Sequence, residues 1–496
     1  MINFWRRLAD LPRHLSKKEK IWAISLLAIL LIFGGLKAKS YIYNRLIVIP
    51  TYGGTYTEGL IGQPKLLSPL SSTDVNDRTI LSLLYVGLTK TTADGRTQPL
   101  LADNWVISED GRSYTFTLKE NLKWHDGQPL TSSDVAETIR LVTDPQTKSN
   151  LKNDWEGVVV EVIDDRTVVF HLDEVSGPFL AATNIPIVPL HISTDELQKS
   201  LIGNGPYKYV DNKRDGELIS QINLASNKDW VLGEPYINNI NFRFFDSPER
   251  LADSYVNQEI DGYFYTNNAD DVLNHESLKG KQFTLPSQRH LMLFLNTDRP
   301  ALKETVTRKR IVESNKLTDP LKLTLLTHSS LANNTKLAEQ IEIWQKNNLE
   351  VEVVALDSLA LLDQLDRHDY DLLFVDIDMR ADLDLYPLWH SSQRGSGGYN
   401  FSRLDDAHAD RKLEEARNTT DFNQRQKVTQ EVEAHLKSLA VAKDLEQLNI
   451  YWRVSDRILG IPPIEFVSEQ TDRFFDVNLW HIKTKHRTLK SVFGDK

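Results

Sequence analysis

The chain has 496 residues, which at roughly 100–200 per domain implies two to four domains or subdomains. Hydrophobic residues make up 40% and charged residues 26%, enough for sizeable cores, so global disorder is excluded. A net charge of −11 argues against a nucleic-acid partner, and the absence of cysteine excludes disulfides, thiol catalysis, cysteine-ligated zinc, iron–sulfur clusters and a lipidated N-terminal cysteine.

Residues 1–20 carry six cations against Asp10 and Glu19, a net +4. Residues 21–36, IWAISLLAILLIFGGL, hold no charge. As a helix they would span about 24 Å, slightly less than a ~30 Å hydrocarbon core, with Lys20, Lys37 and Lys39 placed to snorkel at the ends. The basic flank is N-terminal, so the positive-inside rule predicts a single-pass anchor with 1–20 in the cytoplasm and the remainder outside the cell membrane. A cleaved signal peptide is the competing reading, since Ala38-Lys39-Ser40 weakly fits small-x-small; a buried core helix is a third.

Residues 40–51 read as a short connection, and a globular pattern runs from Thr51 to about His486. Thr488–Lys496 is a polar tail. In 101–135, Tyr114, Phe116 and Leu118 alternate with polar residues, which predicts a half-buried strand. Asp110-Gly111 and Asp126-Gly127 mark turns on either side. Thr131 with Asp134 predicts a capping box, with helix continuing through Val142. EGVVVEVI and TVVFHL, separated by Asp164-Asp165, predict a hairpin.

Residues 321–378 are patterned differently. LKLTLLT, LEVEVVAL and YDLLFVDID are strand-like and alternate with two helical stretches, the first carrying Leu337, Ile341 and Trp344 at i, i+4, i+7. That is βαβαβ, which predicts a parallel sheet with right-handed crossovers. Ligands bind beyond the carboxyl ends of such strands, here Thr327, His328 and Ser329 on the first and Asp376 and Asp378 on the third. Residues 408–440 predict helix broken near Asn418-Thr419-Thr420, followed by the apolar run LNIYWRV.

Several blocks, taken in order, resemble the family 5 solute-binding proteins of ABC importers, which bind dipeptides and oligopeptides. They are LLYVGLTK at 83–90, the 101–135 stretch with its HDG turn, GNGPYKY at 203–209, NKDWVLGEPYINNINFRFF at 227–245, NQEIDGYF at 257–264 and LMLFLNT at 291–297. ADLDLYPLWHSSQ at 381–393 and YNFSRLDDAHADRKLEEAR at 399–417 are similar to later parts of the family. One departure stands out: TVTRKRIVESNKL runs almost at once into the strand at 321, where the family usually carries a longer segment.

The resemblance implies an α/β, two-lobed periplasmic-binding-protein fold of type II. Residues 52–75, 186–290 and 455–485 would form lobe one, 76–185 an accessory subdomain on it, and 296–450 lobe two. The lobes would carry separate sheets joined by crossing strands at 291–297 and near 448–455. It further implies reversible binding of a peptide or other small solute, delivery to ABC permease subunits, a monomer, no cofactor and no nucleic acid.

In peptide-binding members an aspartate meets the α-amine, since a lone charge in a dry cleft is costly. By position that is Asp378, with Asp382 next. Thr73, Asp74 and Val75 align with a segment offering backbone contacts to the peptide, and Trp389, His390 and Asn400 with a cleft-facing block. Two alternatives stay open: a cell-surface interaction protein that kept the fold, or a binder of a metal chelate or sugar. Catalysis is not expected. The Asp376/Asp378 and Asp382/Asp384 pairs lack a phosphate cradle or positioned base, Gly53-Gly54 is no P-loop, and no serine sits in a nucleophile elbow. His125-Asp126 lacks further ligands for a metal and reads as a turn.

Overall fold

The computed structural model describes residues 16–18, 21–22, 25–26, 28, 32–34, 37, 46–92, 96–266, 273, 278–379, 384–464 and 470–488. The chain forms two compact units, residues 1–52 with 481–496, and residues 53–480.

In the first unit, strand Leu46–Thr51 pairs antiparallel with Lys483–Thr488, from Leu46 opposite Thr488 to Thr51 opposite Lys483. The 40–51 stretch is therefore not merely a connection. Ile47, Val48 and Ile49 are β-branched and favour a strand, but the partner lies near the other end of the chain, beyond the reach of any local pattern. Part of 21–36 lies outside the described residues. Those described are helical, and Ile21, Trp22, Leu26, Ile32 and Phe33 are 61–74% exposed. No helix among the described residues is long and apolar enough to cross a membrane.

The second unit is built on a ten-stranded mixed sheet. Its strands run, in order across the sheet, Leu349–Leu356, Leu321–His328, Leu372–Asp378, Lys281–Leu295, Ala442–Val454, Gly262–Thr266, Thr55–Ile61, Asn239–Phe245, Leu218–Ser226 and Tyr207–Asp215. The first three are parallel, as the βαβαβ pattern requires, with helices Thr335–Lys346 and Ser358–Arg367 as crossovers. The expected separation into two sheets does not hold. The crossing segments are two long antiparallel strands, Lys281–Leu295 and Ala442–Val454, that hydrogen-bond to each other and to both halves, so the ladder is unbroken. Their mutual register shifts between Pro286 and His290 and again at Leu291/Met292. Such irregularities bend a strand and re-aim its side chains.

The LMLFL run reads as continuously apolar because both of its faces are covered. Leu291, Leu293 and Leu295 join one core cluster with Leu325, Trp344 and Phe374. Met292 and Phe294 point the other way, into a cluster with Leu326, Trp389, Leu413 and Val432. Full burial of each such side chain stabilises by about 1.5–3 kcal/mol.

A separate four-stranded antiparallel sheet holds Ala102–Ile107, Ser113–Leu118, Thr167–His171 and Val159–Asp164, in that order. Tyr114, Phe116 and Leu118 are buried, matching the alternation in sequence. Helix Ser132–Thr143 starts as predicted, with the Asp134 carboxylate accepting the Thr131 N–H at 2.8 Å. The polar region after 405 is two helices, Ala407–Arg417 and Phe422–Leu439, capped by Asp406 and Asp421.

Candidate functional site

Thr73, Asp74 and Val75 sit at the start of helix Val75–Leu84 and line a cavity of about 330 Å³ with Lys65, Leu66, Ser71 and Asp77. Asp74 is the N-cap, accepting the Asn76 N–H at 2.9 Å, and its carboxylate lies 2.8 Å from the Lys65 ammonium. Burial pushes the Asp74 carboxyl up, but the Lys65 and backbone hydrogen bonds outweigh it and hold it below the ordinary value. Fully buried Asp77 accepts the N–H groups of Lys65 at 2.9 Å and Leu66 at 2.7 Å, which ties the loop to the helix. The cavity wall is thus held by a buried carboxylate, and the Lys65 side chain, 74% exposed, is paired with Asp74. Neither Lys65 nor Asp77 stands out in sequence, since their pairing depends on the loop folding back.

Asp376 and Asp378 end strand Leu372–Asp378, two residues apart and therefore on one face. Arg289, from the neighbouring long strand, forks onto Asp376 through Nε, at 3.1 Å, and Nη2. Asp378 is exposed and lies opposite Arg289 in the ladder. Burial raises the Asp376 carboxyl above its ordinary value and the Asp378 charge adds to this, so the Arg289 fork only partly offsets desolvation. The sequence does not single out Arg289, because the apolar run that marks the strand begins at 291. The charged QRH before the apolar run was the available signal.

The block from 381 onward differs from expectation. Asp382 lies outside the described residues. Asp384 accepts from Arg417 at 3.0 Å, and that guanidinium stacks over Tyr386. Trp389 does not face a cleft; it is 4% exposed and packs on Phe294 with ring centroids 5.5 Å apart. His390 is also buried, stacked on Tyr386, with its Nδ1 accepting the Ser392 N–H at 3.1 Å. Asn400 donates to the carbonyls of Trp389, His390 and Leu404 at 3.0–3.2 Å and accepts the Leu404 N–H at 3.0 Å. Its amide is spent on closing the 389–404 loop. The apolar face of Trp389 and the capping capacity of Asn400 both serve the core here, which residue identity alone does not distinguish from ligand contact.

His125 is a structural residue of the HDG turn. Its Nε2–H donates to the Gly205 carbonyl at 3.1 Å and its Nδ1 accepts the Gly203 N–H at 3.1 Å, so both ring nitrogens are occupied and neither suits a metal. Among the described residues no group of three or more His, Asp or Glu is placed to hold a metal ion.

The sequence profile of bacterial extracellular solute-binding proteins, family 5 Middle, matches residues 96–314. The oligopeptide-binding protein AppA of Bacillus subtilis is 29% identical over 244 residues, covering 46% of this chain and 44% of AppA. The dipeptide-binding protein DppE of the same organism is 23% identical over 351 residues, covering 55% of this chain and 64% of DppE. The chain thus spans about half the length of these relatives. In fold it is similar to the structure of Bacillus subtilis AppA in complex with a nonapeptide, with a TM-score of 0.65 at 20% identity, covering 88% of this chain and all of that one. Residues 96–314 are therefore similar in sequence to the bacterial extracellular solute-binding proteins of family 5.

Proposed function

We propose that this chain is the membrane-anchored, extracytoplasmic solute-binding component of an ABC importer, that it binds peptides, and that it hands them to a permease. The observation that carries the reading is the pair of long strands, Lys281–Leu295 and Ala442–Val454, with their register shifts at 286–292, joining two halves of one sheet. Lobe one would be 52–75, 186–290 and 455–485, with 76–185 as its accessory subdomain and 296–450 as lobe two. The bulged pair serves as the hinge about which lobes close on a ligand. Supporting this, AppA and DppE are named for peptide binding.

In this reading the 65–77 cavity takes peptide backbone, and Asp378 attracts the α-amine. Arg289 already neutralises Asp376 and lies opposite Asp378, so a ligand amine must compete with it. That self-pairing is what favours the second reading, an interaction protein that kept the fold without transport.

The anchor reading rests on charge as well as hydropathy. The unit made of residues 1–52 and 481–496 carries 14 cations against three acids, a net +11, so the chain total of −11 leaves −22 on residues 53–480. A basic unit beside an exposed apolar helix suits an anionic membrane surface. Mass spectrometry of ligand co-purified with the native chain tests the function. Peptides of mixed sequence are expected; a nickel chelate or sugar in their place would replace the peptide assignment.

A further inference from the structure

The break between helices Ala407–Arg417 and Phe422–Leu439 is the one sequence feature that the binding reading leaves unused, and it meets the four-stranded-sheet region at three points. The Gly177 N–H donates to the Arg417 carbonyl at 2.6 Å, one of the helix-end acceptors that lack an intrahelical partner. The Gly177 carbonyl accepts from Arg425 Nη1 at 2.8 Å, and the same Nη1 donates to the Thr419 carbonyl at 2.9 Å. Arg96 Nη2 donates to Asn423 Oδ1 at 2.8 Å, with its guanidinium 5.1 Å over the Phe422 ring. The third point is apolar: a Cβ on Gly111 would touch the Thr420 methyl at 3.6 Å.

Gly177 is not among the residues with positive φ, so its backbone conformation does not call for glycine. What calls for it is proximity: a Cβ there would overlap the Thr419 carbonyl and lie 2.8 Å from Arg425 Nη1. Ser176 is held from behind by the Tyr114 hydroxyl, which donates to its carbonyl at 3.0 Å, so the segment cannot simply step back. Beside the contact remains a gap of about 10 Å³, room for about one water. Pro178 lines that gap with Leu413, Ala416 and Val432, while the two core clusters of residues 291–448 include no residue from 96–185.

We propose that Gly177 and Arg425 form a clasp, backed by Arg96 and Asn423, that holds the accessory region against lobe two and positions both halves around a trapped ligand. The Arg425–Gly177 bond is buried and the Arg96–Asn423 bond exposed, so the clasp opens from its exposed rim inward and rests on a few hydrogen bonds, whereas a permanent interface would bury more apolar surface. This inference rests on the closure reading above, but its first test needs no ligand.

The chain has no native cysteine, so spin labels on Asn153→Cys and Gln430→Cys, both exposed, report the separation directly by pulsed electron resonance in the full chain. The unliganded wild type is expected to show a short, narrow distance population. Gly177→Val and Arg425→Lys are expected to shift it to longer, broader distances without lowering the unfolding temperature, and to raise the peptide off-rate at least tenfold. Unchanged distances in both variants, or a lowered unfolding temperature without a distance change, would make the contact a fixed part of the structure and overturn the clasp. A distance shift with an unchanged off-rate would overturn its role in holding ligand. A distance shift in a chain that binds no peptide would leave the clasp standing and remove the peptide reading instead.

Discussion

The buried ion pair between Glu58 and Arg473 yields the most quantitative prediction. Both side chains are fully buried, with Arg473 Nη2 and Nε donating to Glu58 Oε1 at 2.9 and 3.1 Å. The Tyr56 hydroxyl donates to the other carboxylate oxygen, and the guanidinium sits 4.5 Å over the Phe264 ring and 4.4 Å over that of Phe474. Burial, with the Glu58 charge, pushes the Tyr56 phenol well above its ordinary value. The pair joins the strand Thr55–Ile61 to the turn Gln470–Phe474, 415 residues later. Arg473→Ala would leave a buried carboxylate with only the tyrosine, at a cost of about 3–5 kcal/mol. Removing all the polar groups together, as Tyr56→Phe/Glu58→Leu/Arg473→Met, should cost far less and lie within about 1–2 kcal/mol of wild type, since apolar replacements of similar volume avoid the desolvation. Urea unfolding followed by tryptophan fluorescence at pH 7 measures both, as changes in midpoint at constant slope. If Arg473→Ala costs under about 1 kcal/mol, the pair is hydrated in solution and the argument from burial fails.

Four further outcomes are expected. Burial pushes the His125 imidazole down to about 4 from 6.5, the Gly205 hydrogen bond opposing and the nearby Lys208 ammonium reinforcing. The neutral form is favoured in the fold, so its stabilisation is present above pH 6.5 and is lost as pH falls toward 4, by up to about 3 kcal/mol. A His125→Gln chain should show a flatter stability profile over that range, and identical profiles would sink the assignment. Asp378→Ala should weaken free-amine peptides by ~1–2 kcal/mol, less than a fully buried pair would lose because Asp378 is exposed, and barely affect N-acetylated ones; equal binding of free and acetylated peptides by calorimetry would remove the aspartate clamp. Asn400→Ala should destabilise by about 2–4 kcal/mol by stranding three carbonyls, with peptide affinity unchanged; a selective loss of affinity would return Asn400 to the cleft. Membrane fractions should retain the full-length chain after high-salt washing, with protease added outside digesting the region beyond Tyr41; a soluble mature protein starting near Tyr41 would favour the cleaved-signal reading.

Local pattern determined much of this chain. The alternation at 113–118, the capping box at 131–134, the Asp-rich hairpin turn, the βαβαβ of 321–378 and the helix break at 418–421 are each set within a dozen or so residues, where side-chain periodicity and turn chemistry act. The family resemblance was legible for a related reason, since the motifs that carry it include turns and close approaches such as the HDG turn against Gly203 and Gly205. Long-range pairing settled the rest. Leu46–Thr51 is a strand because Lys483–Thr488 lies beside it, and ten strands form one ladder because both crossing segments are themselves strands. Trp389 and Asn400 serve the core because Phe294 and three loop carbonyls meet them, and Asp376 is matched because a neighbouring strand brings Arg289 to it. An aromatic ring, an amide and a carboxylate are equally apt for ligand or for core; which partner reaches them is decided by register and packing between segments far apart in the chain.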